Sequence, residues 1–527
     1  MRKRFNTTGP CSPKRHYMLP ALERLPDARR YIDNGDYFVV HAPRQTGKTT
    51  SLSDLAGTLT AEGGYFAVRL SCEAASAFGD DIGAVEQVIL NRIRAAARAA
   101  TDKSELLPPD PWPEVTPGTA LTEALTAWVA RCPRPLVLFF DEIDSLTGAG
   151  LINTLRQLRD GYTGDRERFV YSVVLCGLRD VRDYKAAAGG DPTRLGSSSP
   201  FNIKVRSIRI EDFTRAEVTA LYAQHTAETG QGFSDRALDL AYFYTQGQPW
   251  LVNALAAEVI EEMGIESTIT EDHIDRAKER LIVTRATHLD SLADKLSEAR
   301  VQRVIEPLIA GVNPTVDSTF NDAFGYVADL GLIAPDSPVR IANPIYKEVI
   351  VRVLGSGIER VITAAPAGFR LSDGRLDFSL LLTEFASFWK LHGEILSGDQ
   401  KYHEVAPQMV LMAFLHRIVN GGGYVDREYG VGRGRIDLLV RQPYTDSAGR
   451  PAVQREALEL KVWRDDDQTD PLAQGLVQLD SYLDRLELPT GVLVVFDRRR
   501  KAAPITERTQ FSDVTSPAGR SIVLLRA

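Results

Sequence analysis

Cysteine is scarce in this chain: four residues in 527, at Cys11, Cys72, Cys132 and Cys176, with no CxxC pair. That excludes a zinc ribbon and a disulfide framework and leaves reduced thiols of the cytosolic kind. Long apolar runs are missing as well. No stretch approaches the roughly 18 to 20 consecutive apolar residues of a membrane span, and the opening MRKRFNTTGPCSPKRHYM is basic without a signal peptide's apolar core. A cytoplasmic protein with no membrane contact is expected. A surplus of positive charge is also absent. The formal net charge is -8, so affinity for a phosphate backbone has to come from a local basic surface and not from the whole-molecule field. With 44% hydrophobic and 25% charged residues, the composition is that of an ordinary folded chain.

At about 150 residues per domain, the length allows roughly three to four domains. After an N-terminal extension (1–30), residues 31–204 alternate apolar runs (YFVVHA, YFAVRL, PLVLFFD, FVYSVVLCG) with helical stretches, the pattern of a parallel α/β sheet. Helical periodicity takes over in 205–294, read as a helical lid. Residues 295–355 give two helices and two short extended pieces around VRIANPIYKEVIV, an order that resembles a winged helix. A stretch rich in Gly, Ala and Pro opens a linker over 356–385. The last domain, 386–527, reads as helix, three strands, helix, strand. The expected fold is multidomain α/β.

The first candidate site follows YFVVHA. Ala42-Pro43-Arg44-Gln45-Thr46-Gly47-Lys48-Thr49, with Thr50 next, is a Walker A loop carrying alanine at its first glycine position. In such a loop successive backbone N–H groups and a helix N-terminus wrap the phosphates, Lys48 reaches the β and γ oxygens, and the Thr49 hydroxyl ligates Mg2+. Farther on, PLVLFFDEIDSL ends in Asp141-Glu142, a Walker B pair. Asp141 is expected to hold magnesium through water and Glu142 to polarise the attacking water. Together the motifs resemble the P-loop ATPases of the AAA-like and STAND group over roughly residues 30–290. The resemblance implies ATP and Mg2+ as cofactors, ATP hydrolysis, a sensor strand at FVYSVVLCG, and a lid motif at Gly247-Gln248-Pro249. Arg179 and Arg182 stay open to two readings, a γ-phosphate or subunit-interface contact and plain surface charge.

The second candidate site lies in YVDREYGVGRGRIDLLVRQPY and EALELKVW. Strand alternation puts Glu459 and Lys461 on one face and Leu458, Leu460 and Val462 on the other. With Asp437 from the neighbouring strand, the acids make a hard oxygen site suited to Mg2+ or Mn2+, and Lys461 is placed to orient a nucleophile or offset developing charge. Asp followed by Glu-x-Lys in a hydrophobic strand resembles the PD-(D/E)XK nuclease superfamily over roughly residues 400–500. The resemblance gives accessory positions to Gln474, Gln478 and Tyr482, which share one helix face. Glu404 reads either as a further metal-side acid or as a helix-start carboxylate. Arg433 and Arg435 read either as phosphate grips or as a solvated loop pair. The eight histidines form no ligand-spaced cluster, so histidine- and zinc-based nuclease chemistry has no support.

The chain as a whole resembles bacterial AAA-like ATPases with a C-terminal PD-(D/E)XK nuclease, a group associated with mobile-element biology and defence against foreign DNA. The expectation is an ATP-regulated, metal-dependent nuclease acting on nucleic acid, DNA before RNA, as a homo-oligomer or with an activating protein partner. The alternative is an ATP-dependent switch or scaffold whose nuclease fold only binds. In the winged-helix stretch, DAFGYVADLGLI is acidic and apolar where a base-reading helix wants Arg, Lys, Asn or Gln. Interdomain packing is therefore favoured there over DNA contacts by Arg340 or Lys347.

Overall fold

The structure, a computed structural model, describes residues 2–178, 206–284, 287–296, 298–309, 322–334, 339–359, 366–398, 406–419, 423–431, 434–465 and 467–527. Among these no helix is long and apolar enough to cross a membrane. The chain divides into two compact units, Met1–Lys278 with Tyr326–Leu332, and Glu279–Gly325 with Ile333–Ala527.

The first unit is built on β1 (Phe38–His41), β2 (Phe66–Ser71), β3 (Leu136–Asp141), β4 (Ser172–Gly177) and β5 (Ser207–Arg209), in the order β2-β3-β4-β1-β5. All pairings are parallel. Helix α1 (Lys48–Glu62) packs on one face, and α2 (Ile82–Ala100), α3 (Ala120–Val129) and α4 (Gly148–Thr163) pack on the other. With both faces covered, a strand has no solvent side and reads as continuous apolar sequence. In β3, Leu138 and Phe140 enter one core and Val137 and Phe139 the other, and all six residues are buried. β5 extends the sheet past residue 204, into the stretch expected to be lid. Its three half-buried residues are too short a run to carry a period-2 signal.

A run of helices begins with α5 (Arg215–Thr229), whose start is fixed by reciprocal Thr214–Glu217 capping. It continues through α6 (Asp235–Thr245), α7 (Pro249–Ala257) and α8 (Glu271–Val283). Gly247, between α6 and α7, has φ of 80°, and its carbonyl accepts from Phe213 N at 2.8 Å.

The second unit contains α9 (Thr287–Lys295), α10 (Ala299–Ile309), the start of α11 (Asp322–Asp329) and α12 (Pro344–Glu359). Between α11 and α12 a single antiparallel bridge, Ile333 with Ile341, represents the two extended pieces among the described residues. α12 runs to Glu359 and α13 (Phe378–Gly398) starts at Phe378, so the stretch expected as linker holds helix at both ends. Glycine costs only about 1 kcal/mol in a helix, and apolar packing overrides that. α14 (Ala406–Val419) then leads into a mixed sheet of β6 (Tyr424–Val431), β7 (Gly434–Thr445), β8 (Pro451–Trp463), β9 (Gly491–Asp497), β10 (Gln510–Thr515) and β11 (Ser521–Arg526). Its order is β10-β11-β9-β8-β7-β6. β6, β7 and β8 are antiparallel, while β9 runs parallel to β8 after α15 (Leu472–Leu486). One face carries α15 over Leu439, Ala457, Leu493 and Val495. On the other face Trp389 of α13 meets Phe496 of β9 edge to face.

A Cβ on Gly247 would stand 1.8 Å from the Phe213 carbonyl oxygen, at a φ that side chains already disfavour by about 1–3 kcal/mol. Gly247→Ala is expected to destabilise the first unit by at least that amount, measured as a drop in denaturant midpoint. An unchanged midpoint would mean that the turn between α6 and α7 tolerates a side chain.

Candidate functional site

In the first unit β1 hands the chain to the loop Ala42–Gly47, and α1 begins at Lys48. Gln45 (φ 59°) and Gly47 (φ 88°) are left-handed, which curls the loop so that consecutive N–H groups converge ahead of the helix start. Thr46 closes the curl through Oγ1 to Pro43 O at 2.9 Å, and Arg44 and Gln45 form its exposed tip. Ala42 is buried in the core under the loop. Lys48 Nζ donates to Ala42 O at 2.7 Å and Pro43 O at 2.6 Å, and burial pulls its pKa down. An ammonium in so dry a place needs acceptors, and phosphate oxygens are stronger acceptors than the two carbonyls.

β4 lies between β1 and β3, so the loop and the acids at the end of β3 sit two strands apart on the same sheet edge. Asp141, 1% exposed, accepts at Oδ2 from Thr49 Oγ1 (2.8 Å) and from Arg69 Nη1 (2.9 Å). Glu142 adopts φ of 56° and accepts at Oε2 from Ser71 Oγ at 2.6 Å. Asp144 accepts from Leu178 N at the end of β4 (2.9 Å). Arg69 and Ser71 were not singled out from the sequence. The available signal was an arginine inside the apolar run YFAVRL, since a charged residue in a doubly covered strand requires a partner. In register, Arg69 pairs with Phe139 and Ser71 with Asp141. Arg179 and Arg182 lie outside the described residues.

The stretch expected as a plain extension takes part in this site. A cleft over the loop is lined by Asn6, Thr8 and Met18 from the N-terminal segment, by Gly47, and by Trp250 and Asn253 of α7. Trp250 Nε1 donates to Thr7 O (2.8 Å) and Cys11 N to Thr50 Oγ1 (3.0 Å). Phe5 packs on Tyr17 and Tyr222. Asn253 Oδ1 is buried without a partner, an acceptor that a donor on a bound molecule would satisfy. Gly331, after α11, packs against Pro43 of the loop: a Cβ there would come within 2.8 Å of the Pro43 Cβ.

In the second unit, continuing the Leu438–Leu458 pairing sets Asp437 directly opposite Glu459. Asp437 Oδ2 accepts from Leu460 N at 2.8 Å, and Glu459 Oε1 accepts from Lys461 Nζ at 2.7 Å. Glu459 Oε2 is buried with no partner among the described residues. Burial first, and the Asp437 charge second, push the Glu459 carboxyl up to about 7, against the opposing pull of Lys461. The three side chains share the α15 face of the sheet, and Gly475 of α15 stands beside Lys461. Of the accessory positions, Gln474 is exposed and Tyr482 packs against the apolar core. Gln478 keeps a buried carbonyl oxygen without a partner. Arg435 lies in β7 opposite Gly430, and Glu404 and Arg433 lie outside the described residues. Among the described residues no group of three or more His, Cys, Asp or Glu is set to hold a metal.

A backbone curl at a helix start, a buried lysine behind it and paired acids on the next strand but one are the parts of a P-loop ATPase site. Residues 32–184 match the family described as AAA domain. Among solved structures the chain is similar to the Walker-type ATPase paby2304 of Pyrococcus abyssi, with TM-score 0.46 and 13% identity, over 66% of this chain and 99% of that one. It is also similar to the RuvB Holliday junction branch migration motor of Thermotoga maritima (TM-score 0.32, 14% identity, 62% and 92% covered). A third similarity is to Cdc6p from Pyrobaculum aerophilum (TM-score 0.34, 13% identity, 64% and 95% covered). No curated protein matches the chain.

Arg69 is the positive charge that the buried Asp141 now has. Arg69→Gln is expected to destabilise the nucleotide-free protein by about 1–3 kcal/mol, discounted for the partial exposure of Arg69. Magnesium with ADP should then raise its thermal midpoint by more than it raises the wild type's, because the ion replaces the lost charge. Equal shifts in the two proteins would show that Arg69 and the metal do not share Asp141.

Proposed function

We propose that the chain is an ATP-regulated, metal-dependent nuclease whose C-terminal domain is of the PD-(D/E)XK type. One observation carries the reading. Glu459 is a buried carboxylate facing Asp437 on the neighbouring strand, with one oxygen on Lys461 and the other lacking a partner among the described residues. An open buried acceptor costs about 1–3 kcal/mol, and an all-oxygen pair of acids fits hydrated Mg2+ or Mn2+. When bound, such an ion supplies activated water and charge neutralisation at a phosphodiester. Asp437 and Glu459 hold it, with Glu404 as a third acid. Lys461 moves off Glu459 to orient the nucleophile or meet the developing charge. Gln478, flanked on its helix by Gln474 and Tyr482, lends an oxygen to the same face, and Arg433 and Arg435 grip flanking phosphate.

In the ATPase domain Lys48 exchanges the Ala42 and Pro43 carbonyls for the β and γ oxygens of ATP. Thr49 and Asp141 hold Mg2+, and Glu142 leaves Ser71 to polarise the attacking water. The base lies in the cleft between the N-terminal segment and α7. Contact of Gly331 with Pro43 supports regulation: the turn after α11, in the region that resembles a winged helix, feels the shape of the nucleotide loop. Nucleic acid is the substrate, DNA before RNA. Homo-oligomer formation, an activating protein partner and a role in defence or mobile-element biology belong to this proposal by analogy with the group the chain resembles. The second reading, a switch or scaffold that binds without cutting, is favoured by the Lys461–Glu459 pair already closing one side of the acid site.

The test is cleavage of single- and double-stranded DNA and of RNA by the full chain with Mg2+ or Mn2+, with and without ATP. Glu459→Ala and Lys461→Ala are each expected to lower the rate by roughly 100-fold or more, while Lys48→Ala abolishes ATP binding and alters the cleavage rate. Cleavage indifferent to Lys48→Ala and to nucleotide would remove the regulatory half. A wild type that cuts nothing under any nucleotide condition would hand the case to the scaffold reading.

A further inference from the structure

Glu459 and Lys461 are followed on the same face of β8 by Trp463, two residues or about 7 Å farther on. The Arg499 guanidinium lies over the Trp463 ring, 3.3 Å from its centroid, and Arg526 approaches the same ring at 5.8 Å. Both arginines are keyed by carboxylates. Arg499 takes Asp497 through Nε (2.9 Å) and Nη2 (2.6 Å), and Arg526 takes Asp470 through Nη2 (2.6 Å). The remaining N–H groups of both meet no acceptor among the described residues. Each side chain is about one-third or one-quarter exposed, at 35% and 27%.

The register carries these groups to the acid site. Lys461 pairs with Val495, and Val495 with Arg526, so Lys461 and Arg526 stand in one row across the sheet, two strands or about 10 Å apart. Val495 and Leu524 belong to the core under α15, which fixes Arg526, by alternation from Leu524, on the face that bears Lys461. After Asp497 the chain reads Arg498-Arg499-Arg500-Lys501. Arg498 N donates to Trp463 O at 2.8 Å, bringing Arg498 beside Arg464, and burial followed by the Arg464 charge lowers the Arg498 pKa. Arg500 is 93% exposed and only loosely paired with Asp465 at 3.6 Å. The rim therefore carries further cationic side chains beyond the two keyed pairs, with Asp465, Asp467, Asp470 and Asp497 among them.

We propose that Arg499, stacked on Trp463, and Arg526, near the same ring, form a phosphate platform that holds the nucleic-acid backbone beside the Glu459–Lys461 site. The inference rests on the nuclease reading and specifies its binding surface. A guanidinium held on one edge by a carboxylate presents its other edge without further loss of side-chain freedom, and its planar fork suits phosphate. The aromatic ring sets the plane. A strand running from Lys461 toward Arg526 and Arg499 meets donors at successive phosphates, with no base contact required.

The experiment measures binding of fluorescent DNA and RNA oligomers of one sequence, and of poly-glutamate, to the full-length Glu459→Gln protein over a salt series. Arg499→Gln and Arg526→Gln are the test variants, with Arg499→Lys keeping the charge but not the fork. Arg450→Gln is the control; it lies in the hairpin before Pro451, where β8 begins, and pairs with Asp446. Arg499→Gln and Arg526→Gln are each expected to weaken nucleic-acid binding about tenfold and to flatten the log K against log salt slope by about one. Arg499→Lys should be intermediate and Arg450→Gln unchanged. The DNA and RNA arms decide which backbone is held. Unchanged affinity and slope in both test variants, an equal loss with Arg450→Gln, poly-glutamate binding as tight as nucleic acid, or no nucleic-acid binding at all would overturn the platform. Failure of the nuclease reading would show separately, as wild-type cleavage that ignores Glu459→Ala and Lys461→Ala.

Discussion

Burying a carboxylate is the constraint from which both sites follow. An ionised acid in a dry sheet is costly unless a cation or donor meets each oxygen. Asp141 and Glu459, 1% and 2% exposed, both carry that cost. At Asp141 the compensation is complete: Thr49, Arg69 and the Glu142 amide occupy both oxygens. At Glu459 it is half complete, and the carboxyl stays high as a result. The difference separates an acid whose two oxygens are both met from one whose second oxygen is open among the described residues.

The two sheets deliver their acids by different routes. In the parallel sheet every strand ends on the same edge, so a loop after β1, acids after β3 and side chains from β2 converge without any one element carrying the whole site. In the mixed sheet the acids sit mid-strand, and antiparallel register, not strand ends, sets Asp437 against Glu459. α15 then covers the same face, and Gly475 lets it approach Lys461 closely. A single residue of slip in β7 against β8 would turn Asp437 to the opposite face, so the acid pair exists only while that register holds.

Much of this was legible in the sequence. The loop Ala42–Thr49, the Asp141-Glu142 pair and the Glu459–Lys461 alternation are local patterns, set by short spacing and by the period of a strand. The place of the N-terminal segment beside the Walker A loop was not legible, because its Phe5–Tyr222 packing and the Trp250–Thr7 hydrogen bond join residues some two hundred positions apart. β5 escaped notice through brevity, and helix at the start of the expected linker through Gly355 and Gly357, which interrupt the apolar period. Tyr482 shares its helix face with Gln474 and Gln478 and packs against the core under α15, a contact that helical spacing alone does not reveal.

The sequence by itself determined which groups are chemically capable: the lysine of the loop, the acids closing β3, and the acid–lysine pair on β8. Local geometry is enough for that, because a loop of given residues or a strand of period two leaves little choice. Only the tertiary structure decided what each group faces. Arg69 on Asp141, Ser71 on Glu142, the open oxygen of Glu459 and the Trp463–Arg499–Arg526 cluster all depend on register between strands distant in sequence. Register is set by how the cores pack, and no local pattern encodes it.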